Sequence, residues 1–100
     1  MVSRGDVWLV LSGDGEPQPC VVLSPPEIHD YLSLVTVAPL SRDGKAAAYR
    51  VPLDAAEARG VVHLEQIRTV EKRLLTRQAG TIDGKTLTAA LKTLREMFAE

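Results

Sequence analysis

Short apolar stretches separated by turn-forming clusters run along most of this chain. Residues 6–11, 20–23, 34–39, 49–53 and 60–67 combine Val, Leu, Ile, Tyr or Trp in runs of four to eight residues, the length and composition of half-buried strands. Between them lie Ser12-Gly13-Asp14-Gly15-Glu16-Pro17, Ser24-Pro25-Pro26 and Arg42-Asp43-Gly44-Lys45, residue types that let a chain reverse. Strands at these spacings predict a mainly β fold, a small antiparallel sheet closed into a barrel. The period changes near the C-terminus. Leu87, Leu91, Leu94 and Phe98 recur at helical intervals while Lys92, Arg95 and Glu96 project elsewhere, which predicts an amphipathic helix. Asp83 stands where an N-cap belongs, with Gly80 and Gly84 bracketing the turn before it, so the helix is expected to start near residue 84 and seal one side of the barrel.

Composition narrows the organisation. The 100 residues are 45% apolar and 25% charged, enough for one core and too little for two, so residues 1–100 are expected to form one domain. A domain this small leaves apolar surface in water, which makes pairing with a second copy or a partner protein an expected stabiliser. The apolar run 7–11 is too short for a signal-peptide core or a membrane span. Cys20 is the single cysteine; no disulfide forms within one chain, and its neighbours Val21, Val22 and Leu23 predict a buried strand thiol. Together these point to a reducing cytoplasm and no membrane.

A net charge of −1 gives no global attraction to a polyanion, but the charges are unevenly placed. Residues 1–40 hold Arg4 against five acidic residues, whereas residues 41–100 hold 11 basic and 8 acidic residues. An anionic ligand is therefore expected to meet the later strands, where Arg42, Lys45, Arg50, Arg68, Lys72, Arg73 and Arg77 lie. The chain carries no P-loop, no G-x-S-x-G elbow and no H-E-x-x-H. Two histidines and one cysteine without paired ligand spacing lead us to expect no protein-held metal and no cofactor.

The segment Gly60-Val-Val-His-Leu-Glu-Gln-Ile-Arg-Thr69 is the most informative. Read as one strand, it places Val61, His63, Glu65 and Ile67 on one face and Val62, Leu64, Gln66 and Arg68 on the other. His63 and Glu65 would then sit about 6.6–7 Å apart at Cα, close enough to straddle one phosphate or for the carboxylate to orient the imidazole. Cleavage of RNA needs a group to take the 2′-hydroxyl proton, a group to protonate the 5′ oxygen and donors for the phosphoryl oxygens. Spacing alone favours a surface pair or an interface pair over a catalytic one. His29 lies in the Pro-Pro-Glu-Ile-His-Asp segment, expected to be a loop in which Asp30 or backbone groups satisfy the ring.

Four blocks in order carry a resemblance: Arg4-Gly-Asp-Val-Trp8, Pro19-Cys-Val-Val-Leu-Ser-Pro25, Val37-Ala-Pro-Leu-Ser41, and Gly60 to Thr69. With the closing helix, the chain resembles the MazF/PemK/Kid toxins of type II toxin–antitoxin systems over nearly its whole length. That resemblance implies an SH3-like (CcdB/PemK-like) barrel with a C-terminal helix, a homodimer, and a cognate antitoxin that covers an RNA site. It further implies sequence-selective, metal-independent cleavage of single-stranded RNA to 2′,3′-cyclic phosphate and 5′-hydroxyl ends.

The resemblance also assigns residues. Family members commonly carry Arg before the Pro of the second block, where this chain has Gln18; a neutral amide lacks the guanidinium fork, so catalysis is expected to be weakened unless Arg42, Lys45 or Arg50 supplies the charge. Ser41 stands where the family usually has Thr and keeps the hydroxyl. Kid-like members place an Arg and an acidic residue where this chain has His63 and Glu65. Gln66 matches a position that touches RNA, and Arg68 one that binds substrate or serves structure and dimerisation. The loop 12–17 is short for a connection that often reaches over the RNA. Two other readings follow from these departures: a catalytically degenerate module that binds antitoxin, and a gyrase-poisoning toxin of the CcdB type, which the Met97-Phe-Ala-Glu100 ending disfavours because it lacks a terminal Trp.

Overall fold

The computed structural model of the chain describes residues 2–13, 15–42, 49–55 and 58–99, without the side chains of 53–55, 58 and 59. Among the described residues, seven strands and two α-helices follow the order β1 (Asp6–Val10), β2 (Gln18–Val22), α1 (Pro26–Leu32), β3 (Leu34–Ser41), β4 (Arg50–Ala55), β5 (Ala58–His63), β6 (Arg68–Glu71), β7 (Leu75–Thr81) and α2 (Gly84–Met97). Every pairing is antiparallel, and the strands run β4-β5-β3-β2-β1-β7 with β6 added on β3. The expected β-barrel with a closing C-terminal helix is the fold observed.

β3 holds the sheet together by pairing three ways. Cys20 to Val22 line one edge of it; Leu34 to Val37 pair with β6 and Leu40 and Ser41 with β5 on the other. Its alternation then feeds two cores, since successive strand residues point to opposite faces. Ala38 and Leu40 join Val7, Val21, Leu23, Val51, Val62, Leu64 and Ala90 of α2 in one cluster, against which Leu87, Leu94 and Met97 pack. Val35 and Val37 join Val10, Cys20 and Val22 in a second cluster, bounded by Trp8, Val70, Leu74 and Leu75. Each fully buried Val or Leu contributes about 1.5–3 kcal/mol, so these two layers, rather than any one contact, carry the fold.

The first residues act as a clasp. Asp6 is buried and its carboxylate accepts from the Ser3 backbone N–H (2.8 Å) and Trp8 Nε1–H (3.2 Å). Gly5, at φ +93°, donates to Val22 O and accepts from Ile82 N–H, joining β2 to the entry of α2. There Asp83 caps the helix as expected, its Oδ1 accepting from Thr86 N–H at 2.7 Å.

Three expectations need correcting. The segment around His29 is a helix rather than a loop. Pro26 sits at its first turn, and Ser33 ends it at φ +57°, consistent with proline's pre-set φ at N1. His29 is buried, its Nδ1–H donating to Val2 O (3.3 Å) and its Nε2 meeting Ser24 Oγ (2.7 Å); Asp30 instead lies 3.8 Å from Lys72 Nζ. Residues 60–67 are not one strand, because β5 ends at His63 and a 3-10 turn covers Leu64–Gln66. Phe98 leaves the helix stripe and is 72% exposed, while Met97 packs on the core in its place.

Candidate active site

Three backbone features bring the candidate residues together. Gly60, at φ +141°, lets β5 pass so close to β3 that a Cβ there would collide with the Ser41 carbonyl oxygen. That approach seats Ser41 opposite Val61, and His63, two residues on, shares their face. On the far side of β5, Arg50 of β4 is the cross-strand partner of His63. Leu64 then turns inward and is completely buried, and its N–H donates to Tyr49 O at 3.1 Å. With Leu64 pegged into the core, the 3-10 turn folds Glu65 back over the His63–Arg50 pair.

The outcome is a continuous hydrogen-bonded chain. Ser41 Oγ lies 2.7 Å from His63 Nε2, and His63 Nδ1 lies 3.3 Å from Glu65 Oε2. Arg50 donates to that same oxygen through Nε (3.0 Å) and Nη2 (2.9 Å). A carboxylate only accepts, so the ring meets it with a proton on Nδ1, and when the ring is neutral this leaves Nε2 to accept from the Ser41 hydroxyl. His63 is 8% exposed, whereas Arg50 and Glu65 are about a third open at their side chains, 27% and 31%. Desolvation is the largest single influence on the Glu65 carboxyl and pushes it up, but hydrogen bonds from Arg50, its own backbone N–H and His63, with the Arg50 charge, together outweigh it and hold the group below its ordinary value.

The remaining candidates divide. Gln18 opens β2, two residues before Cys20 pairs with Pro39, so it approaches β3 at the Ser41 end, but its side chain joins none of the bonds above. Arg42 is exposed just beyond Ser41, and Gln66 is exposed in the 3-10 turn. Lys45 lies outside the described residues. Arg68 pairs with Val37, and because the 3-10 turn breaks the alternation expected from 60 to 67, it shares the face of Ser41 and His63 instead of the opposite one. Its Nε and Nη2 are buried without a hydrogen-bond partner, beside Cys20, whose thiol burial pushes up to about 11 against the partial opposing pull of that guanidinium. Lys72 and Arg73 face elsewhere, bonded to Asp30 and Glu71.

The sequence reading saw His63 and Glu65 as a pair but missed their connection to Ser41 and the capture of Glu65 by Arg50. Both depend on strand register. Among the described residues no three His, Cys, Asp or Glu gather where a metal would be held, and no helix is long and apolar enough to cross a membrane. What the site offers chemically is a proton acceptor, Nε2, with a hydroxyl in front of it and an anion behind it.

Comparison with known proteins agrees with this architecture. A mycobacterial endoribonuclease solved in complex with its cognate antitoxin superposes with a TM-score of 0.86 at 20% identity, over 96% of this chain and 93% of that one. MazE–MazF from Deinococcus radiodurans gives 0.84 at 23% identity, over 99% and 95%. The Mycobacterium tuberculosis toxin MazF-mt6 gives 0.79 at 21% identity, over 93% and 95%. At these identities the likeness establishes the fold. No curated protein matches the chain. The sequence family described as PemK-like, MazF-like toxin of type II toxin–antitoxin system matches residues 3–98, nearly the whole length, and the chain therefore belongs to that toxin family.

Proposed function

We propose that this toxin is an endoribonuclease that cuts single-stranded RNA without a metal, with Ser41, His63 and Glu65 at the reacting centre. The observation that carries the reading is the Ser41–His63–Glu65 chain, 2.7 Å and 3.3 Å between successive atoms. It supplies a base that needs no metal-bound hydroxide. In the proposed reaction His63 Nε2 takes the proton of the attacking 2′-hydroxyl, directly or through Ser41 Oγ, and the 2′ oxygen displaces the 5′ oxygen from phosphorus to leave a 2′,3′-cyclic phosphate. In-line displacement sets the attacking and leaving oxygens on opposite sides of phosphorus, so one ring nitrogen serves only the first of them, and solvent water gives the departing 5′ oxygen the proton that makes it a hydroxyl. Glu65 stabilises the imidazolium that forms. Ser41, Gln18 and Arg42 are assigned to the phosphoryl oxygens, where a single well-placed donor is worth on the order of 10²–10³ in rate; Arg68 and Gln66 are assigned to the RNA strand.

A second reading keeps the fold and drops the chemistry: a module that binds antitoxin. Gln18 favours it, since the position lacks a charged donor. Under either reading we assign the chain a cognate antitoxin, supported by the neighbours solved with theirs, and, from the family resemblance, a homodimeric, cytoplasmic form.

Incubation of the purified protein with a long RNA in excess EDTA, followed by mapping of fragment ends, separates the two. Discrete cuts with 5′-hydroxyl ends that are lost in Glu65→Gln and Ser41→Ala are the expected result. Intact RNA, from folded protein that still binds its antitoxin, would leave binding as the function.

A further inference from the structure

We propose that Arg50 is a positioning residue of this site: its two-point hold on Glu65 locks the His63 proton onto Nδ1 and so turns Nε2 toward Ser41 as an acceptor. What that acceptor is used for rests on the ribonuclease reading; the lock itself does not.

The distances decide which partner places the carboxylate. A charge-assisted N–H···O bond is normally about 2.7–2.9 Å long. The two Arg50 bonds to Glu65 Oε2, at 3.0 and 2.9 Å, approach that range, whereas the His63 Nδ1 bond to the same oxygen is 3.3 Å. Glu65 is thus held by Arg50 and presented to His63. It needs such a hold, because it stands in a 3-10 turn, its side chain 31% open to water, where a carboxylate tied by one long bond samples other rotamers. Register makes the arrangement possible: Arg50 and His63 are directly paired across β4 and β5, which puts their Cβ atoms about 4.5–5.5 Å apart, and Glu65 bridges them.

A tautomer lock matters because an isolated neutral imidazole readily carries its proton on Nε2. In that form Nε2–H would donate to Ser41 Oγ and could accept nothing. An anion fixed at Nδ1 reverses the preference, the same logic by which a buried carboxylate orients the histidine of a serine protease. Arg50 achieves this from the neighbouring strand, through Glu65. The assignment differs from a substrate contact in its consequences: a phosphate-binding arginine acts on affinity and its salt dependence, whereas a positioning arginine acts on turnover.

The test uses Arg50→Gln and Arg50→Lys in the full-length chain, with the imidazole ¹⁵N shifts of His63, identified by their loss in His63→Ala, as the first readout. Wild type is expected to show the Nδ1–H form, Arg50→Gln a shift toward Nε2–H, and Arg50→Lys an intermediate position, since lysine restores the charge but not the fork. Turnover of RNA is expected to fall about 10- to 100-fold in Arg50→Gln, the usual cost of removing a group that orients another, with KM nearly unchanged. An unaltered tautomer in a folded Arg50→Gln protein would overturn the proposal. So would a rise in KM with a salt slope shallower by about one, which would make Arg50 an RNA contact. Should wild type cut no RNA, the ¹⁵N measurement still decides the role of Arg50, and only the ribonuclease reading fails.

Discussion

Replacing Gly60 by alanine should damage both stability and the site, because this glycine is where β5 crosses closest to Ser41. A methyl group there would meet the Ser41 carbonyl oxygen head-on, with the Ser41 carbonyl carbon at 2.7 Å and Arg42 Cα at 2.9 Å, all backbone atoms that cannot rotate away. At φ +141° an L-residue adds strain of about 1–3 kcal/mol, and the shift needed to relieve an overlap in a packed region costs about 1–3 kcal/mol more. Taking about 3 kcal/mol for the two together, the melting temperature should fall by about 12–24 °C, at about 4–8 °C per kcal/mol for a domain of this size. Any relief moves β5 away from β3 and stretches the 2.7 Å bond between Ser41 and His63; a misplacement of about 1 Å can cost on the order of 10² in rate. Thermal unfolding and RNA cleavage on the same preparation read both effects. Gly15→Ala, into open space at a backbone without positive φ, should leave both unchanged, and Gly84→Ala, at the first residue of α2, should raise stability slightly. A Gly60→Ala protein that melts with wild type would refute the steric argument.

Leu64→Ala should destabilise by about 2–5 kcal/mol, since Leu64 is the largest fully buried side chain among the described residues; a smaller loss in urea unfolding would mean the 3-10 turn is not pegged as described. Asp83→Ala should lower the melting temperature by about 5 °C through loss of the cap. The backbone N–H of Thr86 holds the Asp83 carboxyl below its ordinary value of 3.8, so its contribution is complete above that pH and lost as the pH falls through the depressed folded value. The gap between the two proteins should therefore close in acid, and a gap constant with pH would exclude the ionised cap. Cys20, buried with its thiol pushed up to about 11, should resist DTNB at pH 8 in the native protein and react at once in guanidinium chloride; rapid native labelling would show that the second core opens.

How far these features were legible depended on whether local pattern or long-range pairing creates them. The apolar strands β1 to β3 and the capped helix α2 follow from composition and period, which packing then reinforces. β7 could not be read that way. Thr76, Arg77 and Gln78 are consecutive exposed residues, and the strand exists because β1 pairs with it through two register shifts, a tertiary effect that outweighs propensity. The helix α1 was hidden by Pro25 and Pro26, although a proline at the first helical turn followed by Glu27 was a usable start signal. In the site, strict alternation from 60 to 67 placed His63 and Glu65 together for the wrong reason and put Arg68 on the wrong face. One inward-turning leucine accounts for both errors, because Leu64 ends β5 and resets the phase before β6 begins.

The same geometry recasts the departures from the family pattern. The resemblance places an arginine and an acidic residue where this chain has His63 and Glu65, so a cation looks lost. In the folded chain a guanidinium is nonetheless present beside that carboxylate, supplied by Arg50 from the next strand, two N–H groups on Glu65 Oε2. The site keeps an arginine–carboxylate pair and adds an imidazole, which on the ribonuclease reading takes the proton that an arginine cannot. The substitution at Gln18 has no matching repair: its side chain bonds to none of Ser41, His63, Glu65 or Arg50, and the Arg68 guanidinium on the same face has its Nε and Nη2 buried. On the ribonuclease reading, Gln18→Arg should therefore raise turnover, because it adds a charged donor at the Ser41 end of β3 without disturbing the chain from Ser41 to Arg50. An increase on the order of 10-fold or more is the expected outcome, given what single donors contribute to phosphoryl-oxygen stabilisation. Unchanged turnover with the fold intact would mean that another group, Arg42 foremost, already fills that position.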